Sequence, residues 1–380
     1  MIEEVNLADV CDIIAGQSPP SSTYNQEGNG VPFFQGKADF GEIYPTVRYW
    51  CNSPKKMSKP DDILFSVRAP VGPTNINNIT ACIGRGLAAI RCNNIERNYL
   101  LHYLRGNEEK IASLGSGSTF KAITIGTLKE IKIPLPPLDQ QKKIAAILDA
   151  ADTYRQKTKA LIEKYDELTQ SLFLDMFGDP VTNPKGFEIK QLKEFGRIVT
   201  GNTPSRKNEK NYNSDYIEWI KTDNINSELL YVTKAKEYLS EEGLRNGRSV
   251  EAGSLLVACI AGSIKSIGRA ALTNRKVAFN QQINAIEPSS NTNSQFLYHM
   301  FKSCPKYIQD HASHGMKRML SKGDFQQIKI VLPPTELQNQ FAERVQAIEA
   351  QKAQAQESLA KAEDLFNSLL QKAFKGELTS

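Results

Sequence analysis

Residues 131–179 read IKIPLPPLDQQKKIAAILDAADTYRQKTKALIEKYDELTQSLFLDMFGD, and this stretch decides the fold. After a short apolar run and two prolines, about forty residues without glycine or proline lead to a stop at Gly178-Asp179-Pro180. Apolar or small side chains recur at alternating steps of three and four, which predicts a long helix packed along its length against a partner helix. The predicted seam consists of Ile144, Ile147, Ala151, Tyr154, Thr158, Leu161, Tyr165, Leu168 and Leu172.

A second copy of this segment lies at residues 328–376 of the same chain. A shift of 197 residues superimposes its main features: Pro136-Pro137 on Pro333-Pro334, Gln141 on Gln338 and Phe177 on Phe374. The second copy has its own seam, interrupted only by Lys352: Phe341, Val345, Ile348, Ala355, Leu359, Ala362, Phe366, Leu369 and Ala373. This two-fold internal repeat predicts that the chain supplies both helices of the pair.

The segments ahead of the two helices also match each other. A Gly-x-[Ser/Thr]-Pro motif begins at Gly16 and again at Gly201, and a helical pattern around His102 recurs around His299. Short β-type runs and turn-rich stretches dominate both segments. Because core-pattern positions match while the loops differ, we expect one scaffold that carries two sets of binding loops.

The predicted fold class is α+β: two globular α/β domains and two long α-helices that form an antiparallel coiled coil, under a pseudo-two-fold repeat. The predicted boundaries are 1–137 for the first globular domain, 138–178 for the central helix, 179–334 for the second globular domain and 335–380 for the C-terminal helix. Forty helical residues make a rod of roughly 60 Å, and we expect one globular domain at each end of it.

Composition and charge limit the class of protein. With 40% hydrophobic and 23% charged residues among 380, the chain has the make-up of an ordinary globular protein. No apolar run approaches the roughly 20 residues of a membrane span, and the acidic N-terminal segment lacks a signal-peptide core, so we predict a cytoplasmic location and no membrane partner. The six scattered cysteines form no CxxC pair and are expected to be reduced thiols.

The positive charge is concentrated in the second globular segment. Residues 179–334 carry 22 Lys/Arg and 15 Asp/Glu, whereas residues 138–178 carry 6 and 7, and residues 335–380 carry 5 and 7. This distribution favours a polyanion as partner of the globular segments and a protein as partner of the helices. Ordinary solvated charge is the alternative interpretation of these counts.

Signatures of catalysis are missing from the sequence. Asp179-Pro180-Val181 and Asn183-Pro184-Lys185 lack the second proline and the aromatic residue of an adenine-methyltransferase motif. The glycines at 115–117 and 262–268 do not have the context or spacing of nucleotide-binding loops. His311 and His314 lack a second ligand pair, which favours a surface or DNA-facing role over zinc. We therefore predict no catalytic residue, no metal and no cofactor, and we interpret His102 and His299 as structural.

Candidate DNA contacts are polar loop residues of the globular segments, because Arg and Lys bind phosphates and guanine edges and Asn and Gln can pair with adenine. In the first segment they are Arg68, Arg85, Ser116, Ser118, Thr119 and Lys121. In the second they are Arg206, Lys207, Lys221, Asn224, Lys265, Asn280, Gln281, Gln282, Lys317 and Arg318. The stretches 117–121 and 315–318 coincide in the repeat, which favours a shared role in clamping the DNA backbone.

The ordered set of features resembles the specificity subunits (HsdS, or S subunits) of type I restriction-modification systems. The resemblance covers all 380 residues and is carried by residues 133–141 and 330–338, by the junction Phe177-Gly178-Asp179-Pro180, and by the two variable units ahead of the helices. A single one of these features would be a weak signal, but their repetition in the same order is specific.

The resemblance implies that each globular unit is a target recognition domain that reads one half of a split, asymmetric sequence in double-stranded DNA. It implies that the two helices set the distance between the half-sites and bind two methyltransferase (M) subunits, through which restriction (R) subunits join. S-adenosylmethionine, ATP and Mg²⁺ are expected on those partner subunits only, so that the specificity subunit itself is not an enzyme. Near the helix ends, apolar residues exceed what one seam can bury and are predicted to bind partners: Leu172, Phe173, Met176, Phe177, Leu369, Leu370 and Phe374.

Two alternatives remain open at this point. One is a stand-alone, duplicated nucleic-acid-binding adaptor that is unconnected with restriction. The other is an enzyme with an unfamiliar active site, which the absence of a convergent set of catalytic residues disfavours. The sequence does not indicate which bases are read.

Overall fold

The computed structural model describes residues 3–116, 121–226, 229–313 and 319–378. The chain divides into two units: residues 1–159 with 356–380, and residues 160–355. Both boundaries fall inside the two long helices. Each unit therefore contains one globular part together with half of each long helix.

The first unit begins with short strands and helices. In chain order these are β1 (Glu4–Asn6), α1 (Leu7–Val10), β2 (Cys11–Ala15), β3 (Tyr24–Asn25), β4 (Val31–Phe34), β5 (Tyr49–Cys51), β6 (Met57–Ser58), β7 (Ile63–Ser66), β8 (Thr74–Ile76), β9 (Ala81–Ile83), β10 (Leu87–Cys92), α2 (Arg97–Gly106), α3 (Glu108–Ser113), α4 (Ile125–Lys129) and β11 (Lys132–Pro134), followed by the long helix α5 (Leu138–Phe177). The strands form a four-stranded sheet in the order β2-β10-β7-β8, a five-stranded sheet in the order β3-β5-β4-β9-β6, and the pair β1-β11.

The second unit repeats this plan. Its elements are β12 (Glu188–Gln191), β13 (Gly196–Thr200), β14 (Ile217–Ile220), β15 (Tyr238–Leu239), α6 (Glu241–Arg245), β16 (Ser249–Val250), β17 (Leu255–Ala258), β18 (Ala270–Leu272), β19 (Val277–Phe279), β20 (Ile283–Pro288), α7 (Ser294–Ser303), α8 (Pro305–Asp310), α9 (Lys322–Gln327) and β21 (Lys329–Leu332), followed by the long helix α10 (Thr335–Lys375). Its sheets have the orders β13-β20-β17-β18, β15-β14-β19-β16 and β12-β21. The α+β class and the internal repeat are thus confirmed.

A buried glutamine joins each long helix to its globular part. Gln141 accepts a hydrogen bond from the backbone N–H of Glu96 through Oε1 (2.8 Å) and donates one from Nε2 to the carbonyl of Pro136 (2.8 Å). Gln338 makes the matching pair with Asn293 (2.8 Å) and Pro333 (2.8 Å). The repeated Pro-Pro-x-x-x-Gln sequence therefore fixes where each long helix starts against the first turn of α2 or α7.

The seam of α10 is where the sequence places it. Phe341, Val345, Ala355, Ala362, Phe366 and Ala373 are all buried. Lys352, which interrupts the apolar pattern, is also buried, and its Nζ lies 2.6 Å from Asp166 Oδ1 on α5. In the second unit, Phe341 contacts the ring of Phe173 at 5.6 Å between centroids. Phe173 follows Asp166 in α5, whereas its partner Phe341 precedes Lys352, the partner of Asp166, in α10. These helix halves are therefore antiparallel.

The seam of α5 differs from the prediction at every second position. Ile144 and Thr158 are buried, but Ile147, Tyr154 and Leu161 are 38%, 56% and 43% exposed. The side chains one residue later face the partner helix and are buried or half-buried: Leu148, Arg155, Ile162 and Thr169. The exposed residues form a row that repeats every seven residues: Ile147, Tyr154, Leu161 and Leu168. Polar residues are tolerated inside because they find partners in the helix pair.

Two contacts show how such polar residues are accommodated. In the first unit, the guanidinium of Arg155 lies 4.5 Å from the ring centroid of Phe366 and pairs with Asp152 at 2.6 Å. In the second unit, Thr169 donates its hydroxyl to the carbonyl of Tyr165 at 3.0 Å. Adjacent apolar residues such as Ile147 and Leu148 give the same periodicity in either register, so the sequence pattern did not distinguish them.

Most residues predicted to bind a partner have their apolar surface occupied within the chain. Phe173 and Phe177 are fully buried and Met176 is 8% exposed, all in the core of the second unit, which Leu172 also contacts. Leu369, Leu370 and Phe374 are half-buried against the core of the first unit. Phe173, Met176 and Phe177 therefore have no surface left for a partner, and the exposed apolar row of α5 replaces them as the candidate.

His102 and His299 occupy equivalent buried positions but differ in their surroundings. His102 Nε2 lies 2.8 Å from Asp149 Oδ1. His299 Nε2 has no hydrogen-bond partner among the described residues. Burial, reinforced by Lys302 and Lys352, lowers the pKa of His299 to about 3, so its imidazole is neutral in the folded chain.

This neutral histidine predicts a loss of stability in mild acid. Because the pKa of His299 is lower in the folded chain than in the unfolded chain, protons bind preferentially to the unfolded chain below about pH 6.5. Between pH 7 and pH 5, His299→Leu should lose about 2 kcal/mol less unfolding free energy than the wild type. Urea denaturation followed by Trp219 fluorescence, in a Trp50→Phe background, measures the difference. An identical pH dependence in both chains would contradict a neutral His299.

Candidate nucleic-acid interface

Within the described residues, each unit has one pair of parallel strands, which lies in its mixed sheet. In the first unit β4 pairs with β9, and in the second β14 pairs with β19. Because the carboxyl ends of parallel strands meet at one edge, the loops that follow them lie together there. These loops are 35–39 and 84–86 in the first unit, and 221–224 and 280–282 in the second. Several of the predicted DNA contacts of the second unit belong to these two loops.

The Gly-x-[Ser/Thr]-Pro motif closes over the same edge. The backbone N–H of Gly16 donates to the carbonyl of Leu87 (2.9 Å), and that of Gly201 donates to Ile283 (3.0 Å). A Cβ atom added to Gly16 or Gly201 would lie 2.1 Å from the carbonyl oxygen of Gly84 or Asn280, respectively. The motif needs glycine because its backbone lies directly against the loop that follows the second parallel strand.

A pair of aromatic side chains supports the proline of this motif in each unit. Tyr24 donates its hydroxyl to the carbonyl of Pro19 at 2.7 Å, and its ring lies 4.6 Å from that of Phe33. In the second unit, Tyr212 donates to Pro204 at 2.6 Å, with its ring 5.9 Å from Trp219. The two units therefore fix the same loop with the same contacts.

In the second unit, two cationic side chains lie over the rings of the aromatic pair. The guanidinium of Arg206 lies 4.6 Å from the ring centroid of Tyr212, and Nζ of Lys221 lies 5.1 Å from that of Trp219. Both cations contact the carboxylate of Glu237, and Arg206 Nη2 lies 2.5 Å from Glu237 Oε2. The hydrogen bond from Lys221, together with that from Arg206, lowers the pKa of Glu237. The sequence analysis missed Glu237, because carboxylates are not sought as DNA contacts.

Two predicted contacts of the second unit instead shape the loops. Asn224 is buried, accepts from the backbone N–H of Lys221 (3.0 Å) and donates to Thr233 Oγ1 (3.1 Å). Asn280 is buried and exchanges hydrogen bonds with Gln282, through the backbone N–H (3.1 Å) and the side-chain amide (3.0 Å). We correct the prediction for these two asparagines, since their amides are already used within the protein. Gln281 is exposed at the same edge, and its Oε1 accepts a hydrogen bond from Thr203 Oγ1.

The edge of the first unit carries a different set of charges. A cleft of about 550 Å³ is lined by Lys37, Arg48 and Arg68, among others. Arg48 pairs with the buried carboxylate of Asp39 at 2.5 Å. Lys37 and Arg48 were missed from sequence, although the repeat could have found Lys37, which lies in the loop equivalent to 221–224. Arg85 is exposed in the neighbouring loop, where its backbone N–H donates to Ser18 Oγ (3.1 Å).

The remaining predicted residues have several locations. Arg68 and Ser116 each form a β-bridge with Ala122, next to the exposed Lys121. Lys207 is exposed beside Arg206. Lys265 instead lines a cavity of about 400 Å³ with residues of α7 and α8. Four predicted contacts lie outside the described residues: Ser118, Thr119, Lys317 and Arg318.

The described residues show neither a metal-binding cluster nor a helix able to cross a membrane. No group of three or more His, Cys, Asp or Glu side chains comes together among them in a way that could hold a metal ion. His311 Nδ1 lies 2.8 Å from the carbonyl of Tyr307, and His314 lies outside the described residues. No described helix combines the length and the apolar character that a bilayer span requires.

Comparison with known families decides the assignment. A model of the type I restriction modification DNA specificity domain matches twice, at residues 2–165 and 184–363. The chain belongs to this family. The predicted family is therefore confirmed, and the two matches correspond to two specificity domains in one chain.

Members of the family from several organisms are similar to this chain. A specificity subunit assigned to the type I restriction enzyme MjaX of Methanocaldococcus jannaschii is 51% identical over 167 residues, which are 43% of this chain and 39% of that protein. The chain thus spans about two fifths of the length of that relative. The MjaIX specificity subunit of the same organism is 23% identical over 404 residues, covering 98% of this chain and 92% of that one.

A solved structure shares the fold over nearly the whole chain. The S subunit of a type I restriction-modification system from M. genitalium has a TM-score of 0.64 at 16% sequence identity. The match covers 98% of this chain and 96% of that one. At this identity the similarity establishes the fold of the specificity subunit.

The contact of Gly201 with Asn280 predicts a steric cost for any side chain. Gly201→Ala should lower the unfolding free energy of the second unit by about 1–3 kcal/mol, because the new Cβ has to displace a backbone carbonyl. Gly262→Ala is the matched control, since nothing lies within 4 Å of a Cβ there. Thermal unfolding of the two variants checks the prediction. Equal midpoints for both variants would show that the motif tolerates a side chain.

Proposed function

We propose that this chain is the DNA-specificity subunit of a type I restriction-modification complex and that it recognises a bipartite, asymmetric sequence in double-stranded DNA. Each unit would read one half-site as a target recognition domain. The observation that carries the proposal is the pair of equivalent strand edges, where the same backbone contacts support different exposed side chains. A shared scaffold with different contact residues is what two unequal half-sites require.

The charges at the two edges support direct contact with DNA. Arg68, Arg85 and Lys121 in the first unit are exposed cations, as are Arg206 and Lys207 in the second. Cations of this kind bind phosphates and guanine. Each unit also has an isolated antiparallel β-bridge, between Arg68 and Ala122 in the first and between Ile260 and Met319 in the second.

We propose that the helices set the half-site spacing and bind two M subunits, through which R subunits join. The exposed row Ile147, Tyr154, Leu161 and Leu168 supports this role, because a seven-residue repeat of apolar side chains fits a second helix. The specificity subunit would contribute no catalytic group. S-adenosylmethionine, ATP and Mg²⁺ would bind to the M and R subunits and supply methyl transfer to adenine and DNA cleavage.

The function predicts a specific change in the methylation of host DNA. Deleting the gene should remove one bipartite adenine-methylated motif from long-read, methylation-sensitive sequencing of the genome, and restoring the gene should return it. In parallel, selection of random DNA duplexes by the purified chain should give the same motif. A selected motif without any change in methylation would support the stand-alone adaptor instead. A chain that selects no bipartite sequence would contradict both.

The exposed row of α5 predicts where a partner binds. Tyr154→Glu should abolish or strongly reduce co-purification with the M subunit, because it places a charge among apolar contacts. The fold should be retained, since the Tyr154 side chain is 56% exposed. Gln156→Glu is the matched control: it adds the same charge on the opposite side of the same helix, at another exposed position. Equal M-subunit binding by both variants would rule out this row as the contact.

A further inference from the structure

Among the described residues, cations lie over the aromatic pair of the second unit, Tyr212 and Trp219, and none lies over Tyr24 or Phe33 in the first. The equivalent parallel strands place Phe33 at the position of Trp219, so that Lys221 corresponds to Gln35. The shift of the Gly-x-[Ser/Thr]-Pro motif places Ser21 at the position of Arg206. The rings beneath them are retained as Tyr24 and Phe33 in the first unit. The cations are therefore an addition to one unit and do not belong to the shared support of the loop.

Three contacts fix the plane of the Arg206 guanidinium. It lies over the rings of Tyr212 (4.6 Å) and Trp219 (5.3 Å), and its Nη2 donates to Glu237 Oε2 at 2.5 Å. Glu237 is held in turn by Lys221, which binds its other carboxylate oxygen. The other nitrogens of Arg206 have no acceptor among the described residues, and 56% of the side chain is exposed. An oriented hydrogen-bonding edge is thus left open to solvent.

We infer that Arg206 reads a guanine in the half-site bound by the second unit, with Glu237 and Lys221 as positioning residues. The inference rests on the proposed function. In the major groove, guanine presents O6 and N7 side by side, and a planar guanidinium can donate to both. The stacked arrangement orders the arginine before DNA arrives, which reduces the entropy lost on binding.

A phosphate contact fits the arrangement less well. An oriented guanidinium can donate two hydrogen bonds to a phosphate as well as to guanine, so its net charge and its surroundings distinguish the two roles. Here a carboxylate offsets part of the positive charge of Arg206 and Lys221, which weakens long-range attraction to the backbone. The same carboxylate sharpens the orientation of the guanidinium. A reduced positive charge together with a fixed orientation favours discrimination between bases over general affinity for DNA.

Selection of random duplexes by the full-length chain tests the inference. The wild type should select a motif with guanine at one position of one half-site. Arg206→Gln should reduce the preference for that guanine by roughly 10- to 100-fold and leave the other half-site and the spacing unchanged. Lys236→Gln removes an equal charge at an exposed position beside Glu237 and should leave the motif intact.

A modified base separates readout from folding. Replacing the selected guanine by 7-deazaguanine, which lacks the N7 acceptor, should weaken wild-type binding several-fold but leave binding by Arg206→Gln unaffected. Glu237→Gln should reduce discrimination at the same base pair without changing the thermal midpoint. An unchanged motif, or an equal loss of affinity for all sequences by Arg206→Gln, would overturn the inference. A wild type that selects no bipartite motif would instead refute the proposed function.

Discussion

The structure depends on one buried side-chain amide in each unit. Gln141 and Gln338 hydrogen-bond to a backbone N–H at the start of a short helix and to the carbonyl of a proline just before the long helix. A buried polar group that loses its partners costs about 1–3 kcal/mol, which disfavours any arrangement of the two helices that breaks these hydrogen bonds. The hydrogen bonds of Gln141 and Gln338 thus fix the start of each long helix against its globular part.

The sequence pattern was sufficient for the helices but ambiguous in one register. Around Val345 and Ala355 in α10, polar residues stand on both sides of the seam position, which favours one seam there. In α5, Ile147 stands beside Leu148 and Leu161 beside Ile162, and either of each pair satisfies the heptad. The contacts of the partner helix decide between them, and those contacts are tertiary information. The exposed apolar row is therefore a product of the register and could not have been predicted from periodicity.

Residue type predicted which side chains lie at the candidate interface, but it did not predict the role of each side chain there. Arg68, Arg206 and Lys221 stood out as loop cations. Asn224 and Asn280 looked the same as base-reading amides, yet their amides are used up in short turns that only the folded backbone defines. Glu237 is neither a basic nor an amide residue, so residue type did not indicate it. Its effect is to orient a cation. Composition thus identifies the residues near a site, whereas their hydrogen-bond partners determine what each can do.

The loop anchors have a consequence for how such a chain can change over generations. The motif glycine, the proline carbonyl and the tyrosine hydroxyl support each edge from inside the unit, so the outward side chains contribute little to folding. Substitutions there carry a small risk of misfolding, and each copy of the duplicated scaffold can drift on its own. Under the proposed function, new target sequences are then accessible by a few surface replacements, while the helices are inherited unchanged.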